Sequence, residues 1–125
     1  MTEQELLKTI PESAVISEVK KIIKQTGLKV QRINTGCFQI GTGNSRRFIK
    51  TADAGTCDFE GYDNYGRFLA IECKRPVGGR LSPAQKERID DINRKGGVAF
   101  VAHSGVEAME KLKQFNCIGT ESNGL

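Results

Sequence analysis

A short apolar run that ends in charged residues constrains the fold of this chain more than any other feature. Residues 67–73, with the sequence Arg-Phe-Leu-Ala-Ile-Glu-Cys, are bounded by turn residues and predict a central β-strand. Because side chains alternate across a strand, Glu72 and Lys74 share one face, with Cα atoms roughly 6 to 7 Å apart. An acid and a cation therefore face the same space.

The residues before this strand predict a β-hairpin. Residues 57–62 lead into the sequence Asp-Asn-Tyr-Gly at 63–66, which is typical of a hairpin loop. If the loop is residues 64–66, with Gly66 in the left-handed conformation that such loops commonly need, Asp58 lies directly opposite Glu72. This register places two carboxylates on one face of the hairpin.

Two carboxylates at cross-strand distance repel each other unless a positive charge lies between them. A hard divalent cation with oxygen ligands is the usual solution, and Mg²⁺ or Mn²⁺ fits best. Such an ion activates water and stabilises charge on a phosphate, while an ammonium such as that of Lys74 can hold the nucleophile or stabilise the transition state. The alternative is a solvated charge pair on an exposed strand, where facing like charges would be mildly destabilising.

The same residues resemble a known family. Asp58, followed by Glu72-Cys73-Lys74, matches the D…(D/E)-x-K pattern of the PD-(D/E)xK nuclease superfamily. From residue 55 to about 112 the motifs run Gly-x-x-Asp, Ile-Glu-x-Lys, Leu-Ser-x-x-Gln, Gly-Gly before an apolar strand, then Ser-Gly-Val-Glu. That order resembles the virus-type replication-repair nuclease (VRR-NUC) domain, and with upstream matches at residues 18 and 34–36 the resemblance covers most of the chain.

The resemblance implies a role for each matching residue of the hairpin. Asp58 and Glu72 would be metal ligands, and the carbonyl of Cys73 would be an extra ligand. Lys74 would be the catalytic lysine. The chain departs from the superfamily pattern at Cys57, which precedes the aspartate where the pattern has proline. Proline contributes no ligand, so this departure weakens the match in letters but not the chemistry.

Two further residues come from predicted helices, and each has a structural alternative. By resemblance, Glu18 would be an outer-shell acid near the metal and Gln85 an active-site glutamine. Glu18 falls at the edge of an apolar helical stripe, so it can equally be an acid at the border between core and solvent. Gln85 stands three residues after Ser82, so its side chain can accept a hydrogen bond from the Ser82 amide and complete a capping box. It also shares with Ile89 a helical stripe that must face the sheet.

The remaining patterns predict a single α/β domain over residues 1–125, in the order α-β-β-β-β-α-β-α. This is a restriction-endonuclease-like core, a mixed central sheet flanked by helices, over about residues 13–116 with a tail at 119–125. Helices are predicted at about 13–25, from 82 and from 104, and strands at 28–33, 37–40, 47–51, 67–73 and 98–102. The last helix carries Val106, Met109, Leu112 and Phe115.

Composition limits the choice of partner only loosely. A net charge of +4 and a pI near 9.0 permit a nucleic-acid partner without demanding one. No apolar run approaches the roughly 20 residues that a membrane span needs, and the amino terminus lacks the basic region of a signal peptide. We expect a cytoplasmic protein without a membrane partner, such as a viral or mobile-element enzyme acting in a host cytoplasm.

The cysteines and the histidine argue against other metal chemistry. The four cysteines form no Cys-x-x-Cys pair and His103 is the only histidine, which disfavours a zinc site and histidine-based nuclease chemistry. In the hairpin register, Cys57 and Cys73 are cross-strand neighbours on the face away from the metal. We interpret them as reduced, buried thiols.

Five basic residues could contact phosphates. Arg46 and Arg47 flank a glycine-containing loop, while Arg75 and Arg80 lie in the basic, glycine-containing loop after the charged strand. Lys86 extends the positive charge along the next helix. Single basic side chains on loops and helices are mostly just solvated, which is the alternative for each of them.

The expected function is that of a divalent-metal-dependent endonuclease that hydrolyses phosphodiester bonds in DNA and selects its substrate by structure. Similarity to small nucleases of this type implies branched DNA, such as four-way (Holliday) junctions, and hence a part in DNA repair. Paired nicks in two strands require two sites, so we expect a homodimer. The alternatives are a flap, nicking or restriction-type nuclease, and a non-catalytic nucleic-acid-binding module that keeps the nuclease fold.

Overall fold

A computed structural model describes residues 1–33, 37–45, 47–50 and 53–119, with the backbone alone described at 37–40, 45 and 47–50. The elements in chain order are α1 (Glu3–Leu7), α2 (Glu12–Thr26), β1 (Lys29–Arg32), β2 (Cys37–Ile40), a 3₁₀ turn (Gly43–Ser45), β3 (Arg47–Lys50), β4 (Phe59–Tyr62), β5 (Phe68–Cys73), α3 (Pro83–Arg94), β6 (Val98–Ala102) and α4 (Gly105–Gln114).

The central sheet is mixed and has the strand order β1-β4-β5-β6. β1, β4 and β5 are antiparallel neighbours, whereas β5 and β6 are parallel and joined through α3. β2 and β3 form a separate antiparallel ribbon. The prediction of an α/β fold with a mixed sheet flanked by helices is confirmed, and it is consistent with a restriction-endonuclease-like core. Five described strands precede α3 rather than four, because the first arm of the hairpin is a strand of its own.

The hairpin of β4 and β5 has the predicted register. Phe59 pairs with Ile71 and Tyr62 with Phe68. The Asp63 amide donates to the Arg67 carbonyl at 2.9 Å and closes the loop 64–66. Gly66 has a φ of 83°, the left-handed conformation that the loop requires. The hairpin therefore fixes which residues face each other at its open end.

Helix α2 covers one face of the sheet. Its buried residues are Val15, Val19 and Ile23, which recur at helical spacing, and Gly27 ends the helix with a φ of 73°. These side chains join α4 and one face of β5 in the main core. At 15 residues α2 is the longest of the described helices, and none of these is long and apolar enough to cross a membrane.

Helix α4 packs beside α2 on the same face. Ala108 and Leu112 are fully buried, whereas Val106 is 70% exposed. Gly105 is buried as well, so the first turn of α4 packs on the core through Gly105 and Ala108.

Helix α3 covers the opposite face over a smaller cluster that contains Cys57, Ala70, Ile89 and Ala99. Cys57 thus packs on the α3 face, while Cys73 packs on the α2 face, so the two are not same-face neighbours as predicted. The chain bends at the residue between Cys57 and β4, which breaks the strand alternation on which the prediction rested.

Candidate active site

The two predicted carboxylates meet at the carboxyl end of β5. Continuing the hairpin register beyond β4 places Asp58 opposite Glu72, and both are buried, at 8% and 2% exposure. Asp58 Oδ2 accepts a hydrogen bond from the Cys73 amide at 2.8 Å. The Cys73 thiol is buried on the other face, and burial raises its pKa. Cys73 therefore offers this site only its backbone.

Lys74 and Gln85 both reach Glu72. The Gln85 amide nitrogen Nε2 donates to Glu72 Oε2 at 2.9 Å, and Lys74 Nζ lies 3.4 Å from the same oxygen. Gln85 also completes a capping box with Ser82, since its Oε1 accepts a hydrogen bond from the Ser82 amide at 2.9 Å. The capping box is therefore confirmed, and the opposite end of the same carboxamide contacts Glu72.

The environment of Glu72 disfavours its charge. Burial and the neighbouring charge of Asp58 raise its pKa to about 7, although the Lys74 ammonium acts in the opposite sense. Glu72 Oε1 is the one buried side-chain nitrogen or oxygen, among the described residues, that has no hydrogen-bond partner. A buried carboxylate oxygen without a partner is costly, and carboxylate oxygens are ligands that a hard divalent cation accepts.

A second acid on the same face shows the contrast. Glu60 accepts two hydrogen bonds of 2.7 Å from the Arg88 guanidinium and a third from the Cys57 amide at 3.0 Å. Its negative charge and both oxygens are thus satisfied within the protein. Glu60 ties β4 to α3, whereas Glu72 keeps one oxygen free.

Arg32 is a site neighbour that sequence analysis missed. Its guanidinium lies 3.6 Å from Asp58 Oδ1 and donates to the Asp58 carbonyl at 3.3 Å and to the Ile33 carbonyl. It also lies over the Phe59 ring, 6.0 Å from the centroid. The pairing of Arg32 with Phe59 across β1 and β4 brings it there, and the sequence gives no signal for that long-range register.

Helix α2 carries two acids that bear on this site, Glu12 and Glu18. Glu18 Oε1 accepts a hydrogen bond from the Gly105 amide at 2.8 Å, so this side chain ties α2 to the first turn of α4. Glu12, at the start of α2, contributes to the raised pKa of Glu72. The predicted role of Glu18 in binding metal stays a prediction, and Glu12 is an acid that the helical wheel did not single out.

The structure describes the side chains of three of the five residues that are predicted to contact phosphates. Arg75, Arg80 and Lys86 are exposed, and none of them forms an ion pair within that part of the chain. Arg46 lies outside the described residues, and only the backbone of Arg47 is described, in β3. Their contacts with nucleic acid stay predictions.

The carboxylates of this site suit a divalent cation that keeps several water ligands better than a metal ion held entirely by side chains. Within the described residues, no group of three or more His, Cys, Asp or Glu side chains is arranged to hold a metal ion. Magnesium, however, usually keeps several waters and uses only one or two carboxylates. Asp58 and Glu72 supply two, and Glu72 Oε1 has no hydrogen-bond partner among the described residues.

Comparison with protein-family models, with curated proteins and with solved structures finds no match for this chain.

Proposed function

We propose that this protein is a metal-dependent nuclease of the VRR-NUC type that hydrolyses phosphodiester bonds in DNA. The observation that carries the proposal is the convergence of Asp58, Glu72, Lys74 and Gln85 at one end of β5, with a buried Glu72 oxygen that has no partner. A purely structural acid would be satisfied by its neighbours, as Glu60 is.

Each residue has a distinct part in the proposed reaction. Asp58 and Glu72 would hold Mg²⁺ or Mn²⁺, which supplies an activated water and stabilises charge on the phosphate. The Cys73 amide fixes the Asp58 carboxylate, and Gln85 fixes that of Glu72. Lys74, whose side chain is 12% exposed, is placed to orient the attacking water or to stabilise negative charge on the scissile phosphate.

One observation favours a second candidate, a nucleic-acid-binding module without catalysis. Arg32 and Lys74 already lie beside Asp58 and Glu72, so each carboxylate has a cation of the protein itself close by. If these pairs persist, they would compete with a metal for the same oxygens. Cleavage distinguishes the two candidates.

The decisive experiment compares Asp58→Asn with Asp90→Asn. Asp90 is an exposed acid on α3, so its change matches the lost charge without touching the site. Purified protein is incubated with labelled junction, flap, duplex and single-stranded DNA in Mg²⁺, Mn²⁺, Ca²⁺ and EDTA. We expect cleavage by the native and Asp90→Asn proteins in Mg²⁺ or Mn²⁺, and none by Asp58→Asn, which should still bind branched DNA.

The other conditions test the role of the metal. In Ca²⁺ we expect binding without cleavage, because its looser geometry activates water less well. Robust cleavage in EDTA would contradict metal dependence, and full activity of Asp58→Asn would remove the site. DNA binding without cleavage in any metal would favour the binding module.

Branched DNA as substrate and a homodimer as the active form are part of the same proposal, because paired nicks need two sites. Light scattering at micromolar concentration should give a dimer, and a cruciform plasmid should be linearised. A monomer that only nicks the cruciform would make a flap or nicking nuclease the better description.

A further inference from the structure

A basic groove lies between α2 and the edge strand β1. Its volume is about 380 Å³, and its cationic lining comes from Lys20 and Lys24 on the helix and from Lys29 and Arg32 on the strand. No acid lines it among the described residues. Because side chains four apart on a helix are neighbours, Lys20 and Lys24 stand side by side along one wall.

Three of the four cations that line this groove have no counter-charge among the described residues, and the fourth, Arg32, lies beside Asp58. Lys20, Lys24 and Lys29 are exposed, and none forms an ion pair within the described part of the chain. On α3 and its C-cap, Arg88, Arg94 and Lys95 pair with acids, and only Lys86 has no ion pair within the described residues. Clustered cations without counter-charges raise the local potential and attract a polyanion.

The groove leads to the candidate active site. Arg32 lines it and also lies 3.6 Å from Asp58 Oδ1. Phe59 contributes to its floor and directly follows Asp58. A DNA strand whose phosphates lie along Lys24 and Lys20 would therefore extend to Asp58 and Glu72. The exposed Arg75 and Arg80 lie instead in the loop that follows β5.

We infer that this groove binds the phosphodiester backbone of the DNA substrate and leads it to Asp58 and Glu72. The inference rests on the proposed function and adds a binding surface to it. Each phosphate neutralised releases condensed counterions, so the contacts should show in the salt dependence of binding, with a slope of about 0.9 per contact.

The test compares Lys20→Gln/Lys24→Gln with Lys8→Gln/Lys113→Gln, which removes two exposed lysines that have no ion pair within the described residues. Anisotropy of labelled junction DNA in Ca²⁺ is measured from 50 to 300 mM KCl. The groove variant should lose about tenfold or more in affinity, and its salt slope should fall by about 1 to 2, while the control stays near native. The single-turnover cleavage rate at saturating DNA should be native in the control variant.

The outcomes separate this inference from the proposed function. If both variants bind like the native protein, or lose affinity equally, the groove is not the DNA path although cleavage stands. If the native protein neither binds nor cleaves DNA, the proposed function fails and the groove inference with it. Equal melting temperatures show that both variants are folded.

Discussion

The two faces of the central sheet are built differently. The face under α2 and α4 carries a core of fifteen buried residues among those described, all of them apolar or cysteine. The face under α3 carries a cluster of only four, together with the buried acids Asp58, Glu60 and Glu72. Burying carboxylates costs stability unless they are paired, so the first face maintains the fold and the second carries the proposed active site.

Lys74→Ala should give the largest change in cleavage rate, and it tests whether the α3 face carries the active site. The lysine side chain is only 12% exposed and lies 3.4 Å from the buried Glu72, so its loss should also lower the melting temperature, and cleavage is measured below that temperature. Single-turnover cleavage should fall about 10³-fold, since a charge that stabilises the transition state is removed. Lys113→Ala, on the exposed side of α4, is the control. A Lys74→Ala protein that cleaves normally would assign the lysine to structure.

Truncation of one apolar side chain on each face tests the difference in packing. Leu69 is fully buried in the main core, whereas Ile89 is 8% exposed in the small cluster. Leu69→Ala should lower the free energy of unfolding by about 3 to 5 kcal/mol and Ile89→Ala by about 2, because a well-packed site relaxes less. Denaturant unfolding measures both free energies. If Ile89→Ala lowered the free energy of unfolding more than Leu69→Ala, the α3 face would contribute more to stability than the α2 face.

The sequence predicted much of this arrangement because local chemistry determines it. Gly66 set the hairpin loop, the loop set the register, and the register placed Asp58 opposite Glu72. The capping box of Ser82 and Gln85 likewise followed from four consecutive residues. Local turns and caps thus fixed the central part of the site.

The failures came where tertiary packing decides. A helical wheel shows which side of α2 is apolar, but not where along its length the helix passes the site. The wheel therefore gave no sign that Glu12, at the start of α2, contributes to the raised pKa of Glu72. Arg32 was missed because it reaches Asp58 only through the pairing of β1 with β4.

The pH dependence of stability tests the cost of Glu72 directly. Its pKa is about 7 when folded, against an ordinary 4.5, so its stabilising contribution is complete below pH 4.5 and is lost as pH rises through 7. In EDTA, Glu72→Gln should match the native protein at pH 4.5 and exceed it at pH 8 by about 2 to 3 kcal/mol.

Metal should reverse this effect. At pH 8, Mg²⁺ should raise the melting temperature of the native protein but hardly that of Glu72→Gln, because binding to the folded state alone stabilises it. The control is Asp90→Asn, for which no such difference from the native protein is expected. A Glu72→Gln protein that is less stable than the native one at pH 8 would mean that neighbours already satisfy this carboxylate.

The smallest effect separates the two contacts of Gln85. Ser82→Ala removes only the acceptor of the Gln85 amide, so it should cost about 1 kcal/mol of stability and leave cleavage intact. Gln85→Glu keeps an oxygen for the Ser82 amide but replaces the donor to Glu72 with a like charge. Stability at pH 8 should change by about the same 1 kcal/mol, yet cleavage should fall at least tenfold. Unfolding and single-turnover rates measure both variants. If Ser82→Ala and Gln85→Glu lose activity to the same extent, Gln85 acts only by capping the helix. Lys74 would then be the one described side chain that positions Glu72.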